Sequence, residues 1–445
     1  MIRVEEALTK ILEAVSPLGL ENVNIVDGLG RVIEEDIRCD RAIPPEDRSA
    51  MDGYALRAGD TERAGQENPV RLEVIEEIPA GNMPAKRIGP GQAARIMTGA
   101  PLPDGADAVV RMEDCRRENG RVAVLVETVQ GRAVRRAGED LRMGEGIISR
   151  GDLVRSADIG TLAALGRAII PVHRRPLVAV VSTGNELAEL DETPAPGKSF
   201  CSNSYALAAL VGDCGAVPLR VGIARDRRED LILKFRAAMK ADLIVSTGGV
   251  SVGDYDLVRN LMNQEGNRLH FWRVAMAPGR PLAFGALGKV PIVGLPGNPV
   301  AAMVCFEQFV RPAILKMLGH KNLFRLTVRA RLGEDIAKKS GIRHFIWGKI
   351  QRDGDHYTVV GTGNQGFGMF TSMARANGLI VLPEETTRVR AGETVMVQLL
   401  DDSLNRSPES GYWRRLLFDG RSMLEMDSPP DTNRAAKRRA SSEQE

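Results

Sequence analysis

At 445 residues the chain is long enough for roughly three domains at about 150 residues each, more than one hydrophobic core holds. Lysine and arginine number 60 against 58 aspartates and glutamates, a net charge of +2, so there is no global basic field of the kind nonspecific nucleic-acid binding uses. The start, MIRVEEALTKILEAV, lacks the basic-then-apolar order of a signal peptide, and no stretch reaches the ~18 apolar residues of a membrane helix, so a cytoplasmic, soluble protein is expected, with no nucleic-acid or membrane partner.

Val4, Ala7, Leu8, Ile11, Leu12 and Val15 recur at helical spacing ahead of Pro17 and predict an amphipathic opening helix of about four turns. Residues 21–143 carry short β-branched runs, among them VRLEVIEEI and RVAVLVETV, punctuated by Gly, Pro and Asn, the pattern of a β-rich module. A helix is predicted at 156–168 with Ser156 as its N-cap. From Pro176 apolar strands alternate with amphipathic helices, which predicts a parallel, doubly wound sheet covered on both faces, with ligands beyond the carboxyl ends of its strands. After Gly319 the pattern returns to β, at spacings that suit a small barrel or sandwich. The residues from Ser403 on are polar apart from YWRRLLF and are expected to be largely disordered.

Five dispersed cysteines with no C-x-x-C pair, and five dispersed histidines, argue for reduced core thiols and against a zinc site. A metal here is expected to be a hard cation on oxygen ligands. Two short matches are decoys. Gly197, Lys198 and Ser199 end like a phosphate-binding loop, but Glu192 stands where its leading glycine belongs. Gly361, Gly363 and Gly366 match a dinucleotide fingerprint that is followed by more β pattern rather than a helix, so tight turns are the better reading.

Polar groups concentrate in seven loops. Residues 47–55 place Asp47, Arg48, Ser49 and Asp52 around a glycine, and 95–103 put Thr98 and Gly99 at a strand end before two prolines. In 135–140 two arginines suit a phosphate and Asp140 offers an oxygen donor. For these three a capped turn or a solvated charge run is the plain alternative. Residues 181–186 end a buried strand with Thr183 and Gly184 and then supply Glu186. Residues 245–254 repeat this with Ser246, Gly248 and Gly249 and then Asp254. In 278–281 two prolines flank Arg280, a cation suited to phosphate or a tetrahedral oxyanion. In 294–300, Pro296 precedes Asn298, which can cap a helix whose first residue is Pro299. With Asp226, these carboxylates, glycine loops and the arginine describe phosphoryl or anhydride chemistry on Mg2+, performed by positioning and charge neutralisation.

The strings SAMDGYA, RIMTGAPLPDGADAVV, RAGED, STGNEL, SNS, STGGVSVGDYD, PGRP, GLPGNPV and SMARANGLIVLP, in this order from 49 to 383, resemble the molybdopterin molybdenumtransferase family, which includes MoeA and the gephyrin E-domain. The resemblance implies a multidomain α/β plus β fold. A helical dimer-linking domain (1–20 and 144–171) would surround an inserted β-rich domain (21–143). A doubly wound MogA-like α/β active-site domain (172–320) and a C-terminal β-barrel (321–402) would follow, with a tail at 403–445.

It also implies the reaction: adenylylated molybdopterin and molybdate give molybdenum cofactor and AMP, with Mg2+. Asp52, Thr98, Asp140 and Glu186 would be catalytic. Ser49, Thr183, Gly184, Ser246, Gly248, Gly249, Arg280, Pro296, Asn298 and Pro299 would bind substrate, and Glu186, Asp226 and Asp254 would hold the metal. A homodimer with its site shared between subunits is implied, as is transient contact with molybdopterin adenylyltransferase. Three positions depart from the family: Arg280 for a frequent lysine, Ala277 for a residue often basic, and Ala301 for a frequent serine. Two alternatives stand beside this reading, a molybdopterin adenylyltransferase and a non-enzymatic molybdopterin-binding scaffold.

Overall fold

The computed structural model describes residues 1–249, 257–263, 266–354, 356–363 and 369–406. The chain forms two compact units. One combines Met1–Val15, Leu177–Ile314 and the described residues from Leu323 onward; the other combines Ser16–Pro176 with Leu315–Asn322.

In the second unit, six strands form one sheet in the order Ala108–Arg111, Gly53–Leu56, Gln92–Ile96, Val70–Ile78, Arg121–Val124, Cys115–Glu118. Side chains alternate across a strand, and here each face has its own core. Tyr54, Leu56, Ala93, Ala108 and Val110 pack on one face, while Ala55, Ala94, Ile96 and Val109 pack on the other. Beside this sheet a smaller layer joins the two ends of the segment. Leu20–Asn24 runs antiparallel to Ile169–His173, Ile37–Arg38 pairs with Gly146–Ile148, and Ile33, Ile37, Ile148, Val154, Leu162, Ile170 and Val172 share one core. Residues 21–38, read from sequence as part of the inserted module, thus pack with 146–172, and the opening helix lies in the other unit. The helix Ser156–Ala164 is capped differently from expectation. Arg155, in extended conformation, is the N-cap, and the Asp158 carboxylate in the first turn accepts its N–H at 2.8 Å, so Ser156 lies one residue inside the helix rather than at its cap.

In the first unit, the sheet order is Val217–Ala224, Leu177–Thr183, Leu243–Thr247, Val290–Leu295, Ala283–Leu287, Asn267–Trp272. The first four strands are parallel, Ala283–Leu287 runs against them, and Asn267–Trp272 pairs antiparallel with it and so returns to the common direction. An all-parallel sheet was the expectation. The two residues between Leu287 and Val290 are too short for a crossover and allow only a hairpin. Leu243–Thr247 is buried at every position, as a strand covered on both faces must be. From Leu177–Thr183 the chain moves to one neighbour, Val217–Ala224, and then to the other, Leu243–Thr247. The topological switch therefore lies at the ends of Leu177–Thr183 and Leu243–Thr247, where doubly wound sheets bind ligands.

The opening helix spans Val4–Glu13, shorter than four turns, and buries Val4, Ala7 and Ile11. Beyond Leu323 the strands Thr327–Leu332, Arg343–Asp353, His356–Gly361, Gly378–Leu382 and Thr394–Leu399 form a closed barrel, because Arg343–Asp353 pairs with both His356–Gly361 and Gly378–Leu382. Ala330, Leu332, Ile350, Val359, Ile380 and Val397 fill it. The decoy at Gly197 runs into the strand Ser199–Phe200. Gly361 ends a barrel strand and Gly363 takes φ +95°, a turn role, while Gly366 lies outside the described residues, as does the chain beyond 406.

Candidate active site

Asp52 stands just before the strand Gly53–Leu56, and Thr98 just after Gln92–Ile96, which pair antiparallel. Sheet register therefore brings together two residues 46 positions apart. Asp52 Oδ1 accepts both the backbone N–H and the hydroxyl of Thr98, each at 2.7 Å. These two bonds hold the exposed Asp52 carboxyl below the usual range, aided by the charge of Arg95. Ser49 points the other way. It is fully buried and its hydroxyl donates to Met51 O at 2.6 Å, so the side chain shapes the turn that presents Asp52.

The strand Arg48–Ser49 pairs with Val134–Arg135, which places the 135–140 loop beside this turn. The two arginines read as anion ligands are engaged within the loop: Arg135 Nε with Glu139 at 2.7 Å, and Arg136 with Asp47 at 2.6 Å. Asp140 is exposed, and among the described residues its carboxylate has no partner.

At the α/β edge the strand-end loops interlock. Gly248 takes φ +88°, and a Cβ there would lie 2.6 Å from Thr183 O and 2.8 Å from its hydroxyl, so the loops approach as closely as they do only because position 248 is glycine. Thr183 Oγ1 donates to Thr247 O at 3.4 Å, and Gly248 N–H to Leu295 O at 3.1 Å. Ser246 lies inside the strand, fully buried, with its hydroxyl unpartnered among the described residues, so its side chain does not reach the loop surface. Glu186 is exposed and lies against Gly184. Next to it, Asn185 and Asp226 bond reciprocally, amide to side chain, at 3.1 Å in both directions, which holds the Glu186 and Asp226 loops side by side. Asp254 lies outside the described residues. Among the described residues no group of three His, Cys, Asp or Glu side chains is close enough to hold a metal ion.

Arg280 is exposed, and its guanidinium has no partner among the described residues. Its carbonyl accepts N–H groups from Val274 and Leu282, both at 3.0 Å, which closes a tight loop around it. Gly279, at φ +109°, sits where a Cβ would meet Cys305 Sγ at 2.4 Å. Ala277 precedes a cis Pro278 and pairs with His344 of the barrel. Asn298 caps the helix Pro299–Cys305 by accepting Val300 N–H at 3.0 Å, with Pro299 as first residue, as predicted. Pro296 is buried, and so is Ala301, within the first turn of that helix. Sequence reasoning gave no role to Asn203. It donates to Thr247 Oγ1 at 2.8 Å and Gly297 O at 2.9 Å, and Thr247 Oγ1 passes the link on to Pro296 O at 2.9 Å. The only signal was its place in the SNS string.

Four of the five cysteines are buried, Cys115 is half-buried, and all are free. The chemistry available is carboxylate oxygens, backbone amides, hydroxyls and a guanidinium, a set for handling phosphates and oxyanions.

Family models match most of the chain: the MoeA N-terminal region (domain I and II) over residues 2–166, a probable molybdopterin binding domain over 179–316, and the MoeA C-terminal region (domain IV) over 329–400. These three regions, in this order, define the class, a molybdopterin-binding α/β domain set between MoeA-type flanking domains. Among curated relatives, the molybdopterin molybdenumtransferase of Nostoc sp. is 38% identical over 383 residues, 85% of this chain and 88% of the relative. That of Bacillus subtilis is 36% identical over 404 residues, 90% and 94%. A crystal structure of a molybdopterin biosynthesis MoeA protein from Pyrococcus horikosii superposes with TM-score 0.80 at 32% identity, covering 90% of this chain and 99% of that one. The chain belongs to the molybdopterin molybdenumtransferase family, enzymes of molybdenum cofactor biosynthesis.

Proposed function

We propose that this enzyme inserts molybdate into adenylylated molybdopterin, releasing AMP, with Mg2+ at the carboxylates of the α/β edge. The carrying observation is the edge itself: loops 183–186, 247–249 and 296–299 converge at the switch point of a domain that matches the molybdopterin-binding family. In this reading the glycine loops and the Asn298-capped turn seat the phosphates through backbone amides, and Arg280, which has no protein partner among the described residues, takes the tetrahedral oxyanion.

Glu186 and Asp226 fit a Mg2+ site. They are exposed oxygen donors on adjoining loops, and Mg2+ takes one or two carboxylates and completes its shell with waters and substrate phosphates. With Asp254 as a third donor they would hold the ion, which when bound neutralises charge on the phosphate–adenylate bridge as it breaks. The protein's own part is to orient that bridge beside the Glu186 carboxyl. The Asp52–Thr98 pair and Asp140 belong to the other unit and would complete the site from the partner subunit of a homodimer. Support for a dimer comes from Val26, Leu29 and Ile169, which are 70%, 54% and 58% exposed on adjoining segments of the small layer. The enzyme would work in the cytoplasm and receive its precursor by transient contact with molybdopterin adenylyltransferase.

AMP formation from adenylylated molybdopterin, followed with each of molybdate and Mg2+ omitted in turn, tests the reading. Release that needs both supports it. Tight precursor binding with no release under any condition would leave the chain a carrier, the scaffold alternative.

A further inference from the structure

Asn203 is the second residue of the helix Ser202–Asp213, whose buried face, Ser204, Leu207, Ala208 and Val211, is packed into the fold. Both hydrogens of its Nδ2 are used, one on the Thr247 hydroxyl at the end of the central strand and one on Gly297 O in the turn before the Asn298 cap. The Thr247 hydroxyl, having accepted from Asn203, donates its own proton to Pro296 O. One side chain on a packed helix is therefore bonded, directly and through one relay, to both loops that line the crevice. At their meeting point the loops lie about one side-chain atom apart: a Cβ on Gly297 would be in ordinary van der Waals contact with Gly248 Cα, at 3.7 Å. The sheet pairing and the Gly248 N–H to Leu295 O bond fix where the two loops start, but beyond them the Asn203 bonds are the side-chain link between the turns, and a ligand seated on their amides is placed only as well as that gap is defined.

We infer that Asn203 is the positioning residue of this pocket: through Thr247 and Gly297 it sets the spacing of the 247–249 and 296–299 loops, and hence the placement of the substrate phosphates. The inference rests on the proposed molybdate-insertion reaction for its readout.

The test compares wild type, Asn203→Ala, Asn203→Asp, Thr247→Val and the Asn203→Ala/Thr247→Val pair. Single-turnover AMP release from adenylylated molybdopterin, the affinity for that precursor and the unfolding midpoint are measured for each. Asn203→Ala is expected to slow release by about 10- to 100-fold with a smaller loss of precursor affinity, because misplacement by about 1 Å costs rate more than binding. Asn203→Asp keeps the shape but sets a carboxylate against Gly297 O, and should be as slow as Asn203→Ala or slower. If the two residues act as one relay, the pair should be no slower than the worse single variant. Wild-type rates in Asn203→Ala, losses that multiply in the pair, or rates that only track the unfolding midpoint would each overturn the inference. A wild type that releases no AMP would instead sink the proposed reaction.

Discussion

The Asp52 carboxylate shows how much of a site is decided by one pair of hydrogen bonds. Its ionised form accepts from the Thr98 amide and hydroxyl, so its folded pKa lies below the unfolded one. The sign follows: the pair stabilises the fold above the unfolded value, and that contribution is lost as pH falls through the folded value. Thr98→Val removes the hydroxyl and leaves the amide, and should move the Asp52 titration, followed by NMR, part of the way back toward an ordinary aspartate. No movement would mean the hydroxyl does not hold the carboxylate in solution. Cysteines show the opposite shift. Burial pushes the Cys115 and Cys214 thiols up to about 12, so neither forms appreciable thiolate near neutral pH. A thiol reagent at pH 8 should modify both slowly in native protein and quickly in urea. Residue types at this scale were legible in the sequence, but their directions were not. Asp52 and Glu186 face solvent as expected, whereas the Ser49 and Ser246 hydroxyls turn inward, because which way a loop or strand hydroxyl points depends on a register no local pattern encodes.

Among elements, the signals that were read correctly are local ones. The Asn298 cap follows from three consecutive residues, and Asn298→Ala should cost about 1 kcal/mol while Asn298→Asp retains most of it, as read from urea unfolding. Gly248→Ala combines an unfavourable φ with overlap on the Thr183 backbone and should cost about 1–3 kcal/mol by the same measurement. An unchanged midpoint would show that the strand-end loops are not as tightly interlocked in solution. What went unread needed pairing information. The hairpin that reverses Ala283–Leu287 within the α/β sheet hangs on a two-residue link, and apolar runs look alike in parallel and antiparallel strands. The Asn203 relay joins positions separated by 44 and 94 residues and leaves no trace in periodicity. Likewise, 20–24 pairs with 169–173, a contact between distant segments that no local pattern announces.

For the whole molecule, the alternation of β module, strand–helix domain and C-terminal barrel was legible because each has its own hydrophobic period. The exposure of Val26, Leu29 and Ile169 was not, since each lies in a short stretch whose apolar neighbours, such as Ile25 and Ile170, look the same in the sequence. Charging this patch with Leu29→Asp and Ile169→Asp should convert a dimer into monomers in sedimentation and abolish turnover. If the site is shared, mixing Asp52→Asn with Glu186→Gln protein under exchange should regain about a quarter of wild-type activity, one intact site in each heterodimer. No recovery in exchanged dimers would place both residues in a single subunit's site or in none.

In the proposed reaction the α/β edge couples anhydride cleavage to metal insertion. The most direct measurement is a single turnover of adenylylated molybdopterin with molybdate and Mg2+, in which AMP and protein-bound molybdenum cofactor are quantified together for wild type, Asp52→Asn and Glu186→Gln. One AMP per cofactor loaded in wild type, with both products lost together in either variant, is the predicted result; AMP release that is indifferent to molybdate, or undiminished by either substitution, would contradict it.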